Sequence, residues 1–118
     1  MLRTMLKSKI QKPMITESNL EYSGSVTIDS EILDAADIIP NEKVQIVNLN
    51  NGARLETYVI PGQKGSGVIA MNGGAARHAS IGDRVLIMSY VLSETKDSIG
   101  HSPKIIFVDD QNKVIDRK

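Results

Sequence analysis

Apolar and polar residues alternate along much of this chain, and a period of two is that of a β-strand with one buried face. Leu2 to Ile10 alternates in this way until Pro13 interrupts the pattern. Ser25–Asp29 (SVTID) reads as a short strand. Lys43–Leu49 alternates again and runs into Asn50-Asn51-Gly52, a hairpin turn signal, after which Arg54–Ile60 returns as its partner. Pro61–Gly67 (PGQKGSG) is a flexible polar loop and Gly67–Met71 a short buried strand. Arg84–Leu92 is the longest apolar run, and its β-branched content and Gly82-Asp83 entry make it a strand. Lys104–Val108 and Lys113–Ile115 flank the turn DDQN and give a last hairpin.

Helical signals are few. Asp29 or Ser30 can cap the segment EILDAADI, and Pro40 follows its end. Gly73–Ala79 (GGAARHA) predicts one or two helical turns. Many short strands and little helix in 118 residues predict one mainly β domain, a small barrel or sandwich.

Composition narrows the chemistry. With 41% apolar and 24% charged residues the chain has ordinary globular usage. The absence of Cys excludes disulfides, thiolate metal sites and Cys nucleophiles. Fourteen basic and 14 acidic residues leave no net basic field for a phosphate backbone. One Phe, three Tyr and no Trp leave no base-stacking platform, so nucleic acid is not expected as a partner. No apolar run reaches the length of a membrane span, and MLRTMLKSKI lacks the apolar stretch of a secretory signal. A soluble, cytoplasmic protein with no membrane partner is the expectation.

Several segments are candidates for chemistry. His78 and His101 lack ligand-spaced acidic partners, so no metal site is expected. GQKGSG lacks the Gly-Lys-Ser/Thr ending of a phosphate-binding loop. Asn72-Gly73-Gly74-Ala75 can expose backbone N–H groups to an anion, or can simply be a tight strand-to-helix turn. In RLETYVI the strand period puts Arg54 and Tyr58 on one face and Thr57 on the other. Arg54 can grip a carboxylate and Tyr58 can donate a proton, or the face can be merely solvated. Gly24-Ser25 directly precedes a stiff β-branched strand. It is either a plain turn or a place where Ser25 Oγ is held against the Gly24 carbonyl. An N→O acyl shift there gives an ester; β-elimination then cuts the chain, and hydrolysis of the resulting dehydroalanine leaves a pyruvoyl group. Such a site needs an oxyanion donor.

Taken together, YSGS with VTID, LDAADI, NGARLETYVI and MNGGAARHASIGD resemble the pyruvoyl-dependent aspartate decarboxylase family, in that order and over most of the chain. The resemblance implies a six-stranded double-psi β-barrel with short helices, and a homotetramer with active sites between subunits. It implies self-cleavage into residues 1–24 and 25–118, with Ser25 becoming the covalent pyruvoyl cofactor. The amine of L-aspartate would join that group as a Schiff base, and decarboxylation would give β-alanine for pantothenate and coenzyme A synthesis. By the same resemblance Thr57 stabilises the cleavage oxyanion and contacts substrate, and Tyr58 is the proton donor. Lys9 and Arg54 are then active-site cations, Asn72, Gly73, Gly74 and Ala75 a substrate cradle, and Tyr22 a wall. Gly74, Gln11 and Val47 depart from the pattern, which has Ala, His and Trp at those places. The alternatives are a non-enzymatic barrel that keeps Gly24-Ser25 as a turn, and a pyruvoyl decarboxylase of another amino acid.

Overall fold

The computed structural model describes residues 1–116. Nine strands occur in chain order: β1 (Leu2–Met14), β2 (Glu17–Asn19), β3 (Ser25–Asp29), β4 (Lys43–Asn48), β5 (Arg54–Gly62), β6 (Ile69–Asn72), β7 (Arg84–Glu94), β8 (Lys104–Val108) and β9 (Val114–Ile115). Helix α1 (Ser30–Ala36) follows β3, a 3-10 turn (Gly73–His78) follows β6, and α2 (Thr95–Ser98) follows β7. Most of the strands are those the alternation predicts. β2 and α2 are additional, since three polar residues and a single turn of TKDS carry no periodic signal.

The strands pair in the order β2-β6-β3-β5-β4-β7-β1-β8-β9. β1 and β2 are one path through the sheet, separated only by Ile15 and Thr16. β1 pairs with β7 at one end of the order, and β2 pairs with β6 at the other. Thr16 N–H bridges the gap by donating to Ile69 O at 2.8 Å. The sheet therefore closes on itself as a barrel of six staves, β1/β2, β6, β3, β5, β4 and β7, with β8 and β9 laid along the outer edge of β1. This is the small, mainly β barrel with short helices that the sequence predicts. Among the described residues no helix is long and apolar enough to cross a membrane.

Inward-facing residues meet in register. Ile10, Ile87 and Ile46 sit level across three strands, as do Met71, Val26 and Val59, and all six are fully buried. Each such side chain contributes about 1.5–3 kcal/mol by leaving water. α1 covers one end of the barrel with Ile32, Leu33 and Ala36. Asp29 caps it by accepting from Glu31 N–H, and Asp37 ends it in a left-handed turn at φ 58°.

β1 continues past Pro13 because the ladder is already broken there. Its register with β7 shifts between Gln11 and Met14, and Lys12 has φ 59°. The missing proline N–H therefore removes no ladder bond. β5 runs two residues beyond the predicted end, and it changes partner on the way. Arg54–Tyr58 pair with β4, whereas Val59–Gly62 pair in parallel with β3.

Candidate functional site

Ser25 opens β3 and is buried to 1% exposure. A serine hydroxyl at that depth needs partners. Its Oγ accepts from Asn72 Nδ2 at 2.9 Å and donates to Ser23 O at 3.4 Å. Asn72 ends β6, directly opposite Ser25 in the antiparallel ladder and opposite Asn19 in the parallel one. Its Nδ2 also donates to Thr27 Oγ1 at 2.9 Å, and its Oδ1 accepts from Asn19 Nδ2 at 3.3 Å. Ser25, Thr27 and Asn72 thus share one face of the sheet, on the wall of an open cleft of about 430 Å³ that Tyr22, Ser23 and Gln63 also line.

Gly73 follows at φ 61°, a left-handed conformation natural to glycine. A Cβ on Gly73 would stand 2.4 Å from Tyr22 O, 2.6 Å from Gly24 N and 2.8 Å from Gly24 Cα. The turn after β6 is therefore packed directly against the backbone that leads into Ser25. Gly24 itself is not in the left-handed region, and a Cβ there would meet nothing within 4 Å. What glycine provides at 24 is open space beside the peptide group rather than a left-handed backbone. Gly74 likewise has empty space where a Cβ would be, and Ala75 is buried in the core.

Another part of the cleft wall depends on Asp29, buried at the far end of β3. Its carboxylate accepts from the N–H groups of Glu31 and Gly65 at 2.9 Å and of Gly67 at 2.8 Å. Burial pushes its pKa up, but these three donors and the nearby Lys113 charge together hold it below the ordinary 3.8. Asn112 fastens the same loop from outside, donating to Gly67 O and Met14 O at 2.8 Å each. The glycine-rich segment expected to be a flexible loop is thus a pinned wall, carrying Gln63 and Ser66 into the cleft.

The remaining predicted residues lie elsewhere on the protomer. β3 and β5 pair as far as Val26 and Val59; one step back on each strand stand Ser25 and Tyr58, and two steps back Gly24 and Thr57. The parallel ladder thus ends one residue short of Ser25 and Tyr58, where β5 has turned to β4 as its partner. Thr57 and Tyr58 both border a separate outer groove with Lys43 and Glu56. Burial alternates along β5, with Tyr58 38% exposed on the side opposite to Thr57. Arg54 stands at the far end of that strand opposite Val47, and Lys9 lies on β1 opposite Met88 and Ile105. Neither reaches the Ser25 cleft within this chain. His101 Nε2 is bonded to Leu6 O at 2.6 Å. Sequence reasoning missed Asn19 and Thr27 as neighbours of Asn72. The only signal for them is strand register, which β2 is too short and too polar to announce.

Comparison with known proteins agrees with this geometry. The profile of the aspartate decarboxylase family matches residues 1–115. The aspartate 1-decarboxylase of Carboxydothermus hydrogenoformans is 57% identical over 115 residues, which is 98% of this chain and 91% of the relative. The protein of the same name from Listeria welshimeri is 58% identical over 114 residues, 97% and 90% of the two chains. That of Caldicellulosiruptor saccharolyticus is 56% identical over 115 residues, 98% and 90%. With a match that runs almost from end to end and includes the buried Ser25-Asn72 pair and the Gly73 turn, this chain belongs to the aspartate decarboxylase family.

Proposed function

We propose that this chain is a precursor that cuts itself between Gly24 and Ser25 and then acts as an aspartate 1-decarboxylase, turning L-aspartate into β-alanine and CO2. β-Alanine is the building block that pantothenate and coenzyme A synthesis requires. The observation that carries the proposal is the buried Ser25 hydroxyl, held at 2.9 Å by Asn72 at the start of β3, with Gly73 pressed on the backbone of Gly24.

Self-cleavage needs no outside reagent but water. Ser25 Oγ bonds to the Gly24 carbonyl carbon, the Gly24–Ser25 C–N bond breaks, and the hydroxyl proton passes to the freed nitrogen. Loss of the Ser25 α-proton and of the Cβ–Oγ bond then releases Gly24 as a carboxylate. Water converts what remains of residue 25 to a ketone and ammonia. Asn72 favours the first step by donating to the oxygen as it gains negative character. Thr57 is assigned to the Gly24 oxyanion, two register steps from the last β3–β5 pair.

The residues fit a pyruvoyl group at position 25. The site is buried at one end and open to the cleft at the other, and its polar neighbours Asn72, Thr27 and the Ser23 carbonyl are all neutral. Such a group supplies an electron sink for the bond broken on loss of CO2. The chain supplies the rest. Asn72 and the Gly73-Gly74-Ala75 backbone orient the substrate, Arg54 and Lys9 bind its carboxylates, and Tyr58 returns a proton to the carbon that lost CO2. Because Arg54, Lys9 and Tyr58 do not line the Ser25 cleft of their own chain, the working site is assigned to the junction of protomers in a homotetramer.

Intact-mass measurement tests the reading. The purified protein should separate on denaturation into residues 1–24 and 25–118. Ser25→Ala should remain whole and have no decarboxylase activity, because no ester can form without Oγ. Cleavage of that variant at the wild-type rate would overturn the proposal. Borohydride reduction in the presence of aspartate should place an adduct on the first residue of the larger fragment.

A further inference from the structure

We propose that Asn19 is a positioning residue that fixes which end of the Asn72 side chain faces Ser25, through a hydrogen-bond chain of set polarity anchored on Glu17. This rests on the self-cleavage reading above and deepens it.

An asparagine amide is nearly symmetric in shape, but one end donates and the other accepts. The hydroxyls of Ser25 and Thr27 can do either, and the one bond that would bias Ser25, its donation to Ser23 O, is long at 3.4 Å, so they do not decide how Asn72 is turned. Asn19 does. Its Nδ2 lies 3.3 Å from Glu17 Oε1 and 3.3 Å from Asn72 Oδ1. An ionised carboxylate only accepts, so the end of Asn19 facing Glu17 must be its NH2 group. The same NH2 group faces Asn72, so that end of Asn72 must be its oxygen. The other end, its NH2 group, is thereby committed to Ser25 Oγ and Thr27 Oγ1, both at 2.9 Å. The sheet makes this possible, because β6 lies between β2 and β3 and Asn72 is level with Asn19 on one side and Ser25 on the other.

The orientation matters for chemistry. An N–H aimed at Oγ stabilises the oxygen as it loses its proton and attacks Gly24. A turned amide would present an acceptor instead, hold the proton on Oγ and oppose the attack. Asn19 touches neither the nucleophile nor the peptide bond and acts only through Asn72.

Asn19→Asp tests this, since a carboxylate at 19 accepts from Asn72 and turns its amide around. Conversion of freshly purified precursor to the two fragments, followed by intact mass, should slow roughly tenfold, the worth of one hydrogen bond in the barrier. In the Asn72→Ala background the same change at 19 should have no further effect on the cleavage rate. A slowing that persists without Asn72, or no slowing in the parent, overturns the proposal. Amide NMR gives a readout independent of cleavage. The Asn72 side-chain NH2 protons should show contacts to Ser25 and Thr27 in the parent and lose them in Asn19→Asp. Contacts unchanged by the substitution overturn the inference. A parent chain that never cleaves but shows the amide turn would instead overturn the self-cleavage reading alone.

Discussion

Gly73 and Gly74 are neighbours with opposite requirements, and both follow from where a single methyl group would go. At 73 it would collide with the Tyr22 and Gly24 backbone, 2.4–2.8 Å away, from a left-handed φ of 61°. Gly73→Ala should therefore destabilise the fold by about 1–3 kcal/mol and displace the segment that carries the proposed cleavage point. At 74 the methyl group meets nothing and φ is not left-handed. Gly74→Ala should raise stability by about 0.4–1 kcal/mol, by narrowing the freedom of the unfolded chain. Denaturant melts of the two variants check the contrast, and equal effects would contradict it. From the sequence the pair reads only as two flexible residues. The difference between them lies in the approach of a loop 50 residues earlier in the chain, which no local pattern encodes.

At the scale of elements, β3 does two jobs with its two ends. Ser25 faces the cleft from one, and Asp29 secures the loop that walls it from the other. Asp29→Asn would set an NH2 group against one of the backbone donors and remove the charge, costing about 1.5–3 kcal/mol at neutral pH. The folded-state pKa of Asp29 is lowered. Its stabilisation is thus complete above the ordinary 3.8 and disappears as pH falls through the lower folded value. Melts at neutral pH and near pH 2 should show the variant's deficit shrinking with acid, and a deficit independent of pH would place the effect in packing instead. The strands themselves were legible because alternation reports a buried face. Ser25–Asp29 and Lys104–Val108 have the predicted bounds. β2 was not legible, because Glu-Ser-Asn has no apolar side to show, and neither was the change of partner along β5 at Tyr58 and Val59, which is set by closure of the barrel.

At the scale of the whole molecule, one protomer holds the candidate residues in separate places. Tyr58 is outward on β5 while Ser25 is sunk in its own cleft. The outer part of the β1–β7 pair leaves Leu2, Val91 and Leu92 in solvent, and Ile99, just after α2, is 79% exposed, an apolar surface suited to covering by further copies. If each site joins two protomers, defects in different residues should complement. Tyr58→Phe alone should be cleaved normally and lose about 10²–10⁴-fold in turnover. Ser25→Ala alone should be inert. Co-expressed in one oligomer they should recover measurable activity, whereas mixtures of separately assembled oligomers should not. No recovery would place the proton donor and residue 25 on the same chain. The sequence alone could not show this division, because strand alternation orients side chains but says nothing about which surfaces meet another copy. The closure of the barrel has a further consequence, for history rather than geometry. The stave made of β1 and β2 lies wholly within residues 1–24, between β7 and β6. If the chain is cut between Gly24 and Ser25 as proposed, that stave becomes a separate molecule that still completes the wall. The intact chain would then find its fold as a first-order process, whereas the cut protein, once unfolded, would be two solutes that must meet again. Its recovery from denaturant should then depend on concentration and be restored by excess 1–24 peptide, while Ser25→Ala folds independently of both. The native state of the enzyme would be one that its own pieces reach only together, and that the gene reaches once.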